Sequence, residues 1–200
     1  MTKVKLCGLS RPCDIEYANE IKPDFIGFVF FEKSIRNVSF EKAHELRQNL
    51  ADGITPVGVF VDEDIENVAK LLNNGTISIA QLHGNENNEY IANLRKLADY
   101  PIIQAFRIKS DEDIERANNS TADYILLDSG WGTGQTFDHS FIKGMKRDFF
   151  IAGGINADNI GGIIEKYRPF GADVSSAIET DGVKDKNKMR AFVDSVRKVK

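Results

Sequence analysis

The sequence predicts a (β/α)8 TIM barrel, one compact domain over residues 1–200. Three observations predict it. Short apolar runs alternate with amphipathic stretches along the whole chain, and eight such strand-then-helix units can be counted. No Pro/Gly/Ser-rich linker or charge block divides a length sufficient for one large core. Strands separated by helices become parallel neighbours, because each return to the same sheet edge needs a crossover. An open doubly wound sheet is the alternative, but it leaves some units without a place. A closed barrel uses all eight, although 200 residues is near its lower size limit.

The units follow in order. Residues 4–6 form an apolar run ending in Cys7 and Gly8, and Ile15, Ala18 and Ile21 then have helical spacing. Residues 25–31 form the second strand, with Ser39 as N-cap of the helix in FEKAHELRQNL. Residues 56–61 form the third, before Ile65, Val68, Ala69 and Leu72 at i, i+3, i+4 and i+7. The fourth, 78–82, ends in His83 and Gly84 and precedes a helix turning Ile91, Leu94 and Ala98 inward. The fifth, 101–106, leads to a capping box of Ser110 and Asp113 ahead of Ile114 and Ala117. The sixth begins YILL and stops at Asp128. The seventh, 149–152, stops at Gly153 and Gly154 before Ile160, Ile163, Ile164 and Tyr167. The eighth, 172–174, ends in Ser175 and Ser176, and a last helix buries Met189, Phe192, Val193 and Val196.

Composition narrows the function. With 42% apolar and 28% charged residues and a net charge of −4, the chain reads as a soluble globular protein without a basic stripe for nucleic acid. MTKVKLCGLS lacks a signal-peptide core, and no stretch is long enough to cross a bilayer, so a cytoplasmic location is expected. Cys7 and Cys13 are too close in sequence to staple much loop and do not have a familiar metal-site spacing; both read as free thiols.

In a barrel the carboxyl ends of the strands share one rim, so Cys7, Arg36, His83, Asp128, Gly153 and Ser175 become neighbours there. Asp128, followed by a loop with glycines at 130, 132 and 134, can exchange a proton with a ligand; a turn or capping aspartate is the commoner fate. Cys7 can serve as base or nucleophile if its pKa, ordinarily about 8.5, is lowered; a buried inert thiol is the competing reading. His83 fits a general acid or base, or a strand-end histidine bonded to a neighbouring loop. Arg36 can hold a planar carboxylate through paired hydrogen bonds, or lie solvated in its loop. Glycines and serines in IAGGI and GADVSSAIE let backbone amides surround an anion, where barrels often bind phosphate. A phosphorylated small molecule is therefore the expected ligand.

KLCGLSRPCDI, GFVFFEKSIRNV, VGVFVD, QLHGNE, LLDSGWGTGQTFD, FIAGGINADNI and GADVSSAIETDGVKD resemble, in order and over nearly the whole chain, the phosphoribosylanthranilate isomerases of tryptophan biosynthesis. The resemblance implies a (β/α)8 barrel and an Amadori rearrangement of N-(5-phosphoribosyl)anthranilate to 1-(2-carboxyphenylamino)-1-deoxyribulose 5-phosphate, with neither metal nor organic cofactor. It implies Asp128 as general acid and Cys7 as general base. Arg36 matches the holder of the anthranilate carboxylate, and Gly154 with Ser175, Ser176 and Ala177 matches the phosphate site; His83 and Gly153 complete the substrate-binding set. Ile35 replaces a usual proline, while Trp131 and Ala177 replace usual glycines. The rival expectations are a phosphate-binding barrel without catalysis and a sugar-phosphate isomerase of histidine biosynthesis. A monomer or a homodimer is expected.

Overall fold

The computed structural model describes residues 1–128 and 139–199. The loop glycines at 130, 132 and 134 and Trp131 lie outside the described residues.

Eight parallel strands close into a barrel in sequence order. They are β1 (Lys3–Cys7), β2 (Phe25–Phe30), β3 (Thr55–Phe60), β4 (Ile79–Leu82), β5 (Ile102–Arg107), β6 (Tyr124–Asp128), β7 (Phe149–Ile151) and β8 (Gly171–Val174). Closure is the pairing of β1 with both β2 and β8. Helices α1 (Pro12–Ile21), α2 (Phe40–Gln48), α3 (Ile65–Asn73), α4 (Asn88–Leu97), α5 (Asp111–Asn118) and α6 (Ile160–Tyr167) carry crossovers, and α7 (Lys186–Lys198) follows the last strand. Among the described residues the sixth crossover instead holds a 3-10 helix, His139–Gly144. Its apolar residues Phe141 and Ile142, with Met145 just past its end, still pack against the main core.

Local chemistry explains where the elements begin. The Ser39 side chain accepts the Lys42 N–H at 3.1 Å, and Ser110 with Asp113 forms a capping box at α5. Pro12 opens α1, where its missing N–H costs nothing and the Asp14 carboxylate accepts the N–H of Arg11. Buried Met189, Phe192, Val193 and Val196 form one stripe on α7, as their spacing requires.

Two apolar layers explain why the strands read as nearly continuous hydrophobic runs. Val4 and Leu6, Ile125 and Leu127, and Ala172 and Val174 belong to the outer layer between barrel and helices. Side chains alternate along a strand, so Lys5 and Cys7, Leu126 and Asp128, and Asp173 turn to the barrel interior. The lower interior is filled by Val57, Ile79, Ile103, Leu126, Phe150 and Ala152. Its upper end is polar.

The chain past β8 adds a feature the periodicity did not predict. A 3-10 turn, Ser176–Ile178, leads into the antiparallel hairpin of β9 (Glu179–Thr180) and β10 (Val183–Lys184). Asp181 and Gly182 link its strands, both with positive φ, at 51° and 79°. An Asp-Gly pair suits such a two-residue turn, whose twist matches that of the flanking strands.

Candidate active site

All nine residues singled out in the sequence, Cys7, Arg36, His83, Asp128, Gly153, Gly154, Ser175, Ser176 and Ala177, line one cavity at the carboxyl end of the barrel. Cys7 and Asp128 end β1 and β6, point inward and are buried.

His83 lies within reach of the Asp128 carboxyl group, with Nε2 3.3 Å from Oδ2. Gln81, two residues earlier on the same face, brings Nε2 to 3.1 Å from His83 Nδ1. With the amide donating to Nδ1, the imidazole carries its proton on Nε2 and donates it to Asp128. The result is a side-chain chain running from β4 to β6.

Around Cys7 the field is mixed. Burial pushes the thiol up; Lys5 and Lys184 pull it down, and Asp173 opposes them, leaving it above the ordinary thiol range. The lowering required for a resting thiolate is therefore not supplied by these neighbours. Gly27 is the register partner of Cys7 on β2, and it leaves the room that the sulfur occupies.

Lys5 and Asp173 were missed in the sequence. Lys5 Nζ donates to Asp173 Oδ2 at 2.9 Å inside the barrel, between register partners on β1 and β8. Burial opposes charge on both and raises Asp173, yet the Asp173 contact keeps Lys5 protonated and above the usual lysine value. A signal was available: lysine and aspartate each interrupt a short apolar strand at an inward position. Among the described residues, Asp173 Oδ1 and Gln81 Oε1 are buried without a hydrogen-bond partner, and both residues line the cavity. A buried acceptor left unpaired costs about 1–3 kcal/mol, so a ligand that donates to it recovers that energy.

Gly153 and Gly154 turn the chain just past β7 with φ of 79° and 64°. Asn159 ties the turn down, donating from Nδ2 to the Gly154 carbonyl at 2.9 Å. Ser175 donates from Oγ to the Cys7 carbonyl at 3.1 Å, stitching the end of β8 to that of β1. Ala177 lies in the 3-10 turn and its φ is not positive, so alanine fits there without the strain that a left-handed position would impose.

Arg36 is not a solvated loop arginine. Its Nε and Nη2 hold the two oxygens of Glu179 at 2.7 and 2.8 Å, across the mouth from the β2–α2 loop to β9. The replacement at Ile35 therefore does not leave the side chain unguided; Ile35 itself is exposed and lines the same cavity.

The sequence profile described as "N-(5'phosphoribosyl)anthranilate (PRA) isomerase" matches residues 4–195. An N-(5'-phosphoribosyl)anthranilate isomerase of Thermoanaerobacter pseudethanolicus is 40% identical over 207 aligned positions, covering 100% of both chains. The phosphoribosyl anthranilate isomerase of Thermotoga maritima superposes with a TM-score of 0.90 at 33% identity, covering 99% of this chain and 100% of the other. A solved phosphoribosyl anthranilate isomerase in complex with reduced 1-(o-carboxyphenylamino)-1-deoxyribulose 5-phosphate has a TM-score of 0.87 at 32% identity, with 99% and 100% coverage. The match runs essentially end to end, through the strand ends that line the cavity. The chain belongs to the N-(5'-phosphoribosyl)anthranilate isomerase family.

Proposed function

We propose that this protein converts N-(5-phosphoribosyl)anthranilate to 1-(2-carboxyphenylamino)-1-deoxyribulose 5-phosphate, with Asp128 as general acid and Cys7 as general base. The observation that carries the assignment of roles is that these two side chains, from strands far apart in sequence, line one buried cavity.

Asp128 gives its proton to the ribose ring oxygen, the bond from that oxygen to C1 breaks, and the anilino nitrogen supplies the electron pair for a Schiff base cation. His83 keeps the carboxyl group in place. The Cys7 sulfur then removes the C2 proton; the C–H pair becomes the C1–C2 double bond and the cation is discharged as an enolamine. Tautomerisation yields the C2 ketone. Because burial favours the neutral thiol, ionisation of Cys7 is coupled to the ligand: a cation formed beside the sulfur stabilises the thiolate and acidifies the proton it takes. Asp128 thus serves as proton donor and Cys7 as proton acceptor on one sugar.

The remaining groups fit the rest of the substrate. The loops at Gly153–Gly154 and Ser175–Ala177 receive the phosphate, and the free edge of Arg36 takes the anthranilate carboxylate. The unpaired acceptors on Asp173 and Gln81 suit the hydroxyl groups of the sugar chain. The same reading includes a single-domain enzyme, monomeric or homodimeric. Its thiols, Cys7 and Cys13, are both free, which suits the reducing cytoplasm.

The test follows the loss of phosphoribosylanthranilate fluorescence with purified protein and no added metal. Turnover is expected in the wild type and a loss of most of it in Cys7→Ser and in Asp128→Asn, each still folded and binding the reduced product analogue. Saturable binding without turnover in the wild type would overturn the enzyme reading, and an active variant would remove that residue from the mechanism.

A further inference from the structure

The hairpin after β8 carries a buried charge cluster beside the cavity. Glu179 and Lys184 are register partners across it, and both side chains are almost fully covered. Lys184 Nζ donates to Glu179 Oε1 at 2.5 Å, to the Ser175 carbonyl at 3.0 Å and to Ser175 Oγ at 3.3 Å. Glu179 occupies the Nε and Nη2 edge of Arg36 with both oxygens. The hairpin backbone is held as well: Arg11 Nη2 donates to the Lys184 carbonyl at 2.7 Å, and Lys188 Nζ to that of Glu179 at 2.6 Å.

We propose that Glu179 and Lys184 are positioning residues which make Arg36 selective for a carboxylate on the ligand's aromatic ring. The proposal rests on the reading of Arg36 as the carboxylate holder. A guanidinium is a planar fork with more than one usable edge. With the Nε side filled by Glu179, the side chain is fixed in rotation and its Nη1 end is left to a second carboxylate. Orientation is thereby settled before the ligand arrives, so less rotamer entropy is lost on binding.

A carboxylate placed next to an anion site would ordinarily repel the ligand. Lys184 answers this: two cations share one anion, and the cluster keeps a net positive charge at the mouth. Burial of Glu179 and Lys184 is tolerated because each charge meets an opposite one, while removal of one partner would leave the other uncompensated. Lys184 also holds Ser175, whose hydroxyl bonds the Cys7 carbonyl. The carboxylate anchor, the phosphate loop and the strand carrying the base therefore share one rigid mount, which sets the span between the two ends of the ligand.

The experiment compares two ligands by calorimetry: reduced 1-(o-carboxyphenylamino)-1-deoxyribulose 5-phosphate, and the same compound made with aniline in place of anthranilate. The wild type is expected to prefer the first. Glu179→Gln, shown to be folded by its thermal melt, is expected to reduce that preference about tenfold, the larger loss falling on the carboxylate ligand. Glu179→Asp, which keeps the charge but draws the guanidinium back, is expected to move in the same direction and serves if the glutamine variant does not fold. A wild-type preference in the Glu179 variants, or an equal loss for both ligands, would overturn the proposal. Arg36→Lys separates the two levels. If it loses the preference while the Glu179 variants keep it, only the positioning role fails; if it keeps the preference, the reading of Arg36 fails too.

Discussion

Gly27 faces Cys7 across the β1–β2 ladder, and a methyl group built on it would lie 2.7 Å from Cys7 Sγ and 3.1 Å from Cys7 Cα. The flexible sulfur can retreat, but the backbone of a closed barrel cannot follow easily. Gly27→Ala is therefore expected to rotate or push the thiol out of position. Stability should fall by about 1–3 kcal/mol, as for other overpacked cores. Turnover should fall more than tenfold, with KM little changed, since a small misplacement of a reacting group is costly. Steady-state kinetics and urea unfolding of the same sample check both.

The thiol also makes a prediction about pH. Burial holds Cys7 above the ordinary thiol range, so the basic form is scarce at neutrality and becomes available as pH rises. The alkaline rise in kcat/KM, which reports free enzyme and free substrate, is expected to be centred above the ordinary thiol value. A pH–rate profile measures it directly. A centre well below that value would mean a thiolate already present before substrate binds.

Lys5 and Asp173 predict a stability effect inside the barrel. Lys5→Met leaves the Asp173 carboxyl group buried without its cation, and the loss is expected to be about 3–5 kcal/mol. Replacing both members with apolar residues of similar volume should recover much of it. Chemical denaturation of the single and double variants checks the sign.

Glu179 predicts behaviour in acid. Although burial opposes its charge, the hydrogen bonds from Arg36 and Lys184 hold it below its ordinary value of 4.5. A carboxyl group lowered on folding stabilises the native state above its unfolded value, and that contribution disappears as pH falls through the folded value. The wild type is therefore expected to lose stability below pH 4.5 more steeply than Glu179→Gln. Thermal melts across that range provide the measurement.

What the sequence determined by itself was the barrel and the identity of the rim. Alternation of apolar runs with 3.6-residue periodicity is set by local geometry, so the eight strands, Ser39 at the start of α2 and the buried stripe of α7 were legible to within a residue or two. The placement of Cys7, His83 and Asp128 immediately after or at the end of apolar runs followed from the same grammar, because a parallel barrel gathers all such ends on one face. The sixth crossover was the exception: eight units implied a helix where the described residues form a 3-10 turn.

Only the tertiary structure decided which charges meet. Lys5 with Asp173 and Arg36 with Glu179 are separated in sequence by 168 and 143 residues, and no local rule pairs them. Barrel closure fixes the first pair by setting the register of β1 against β8. The 3-10 turn after β8 brings Glu179 to Arg36, and the Asp-Gly turn returns Lys184 against it. Electrostatic energy depends on distance and burial, which a linear pattern does not contain. For the same reason the resting state of Cys7 emerged only once its neighbours were in place.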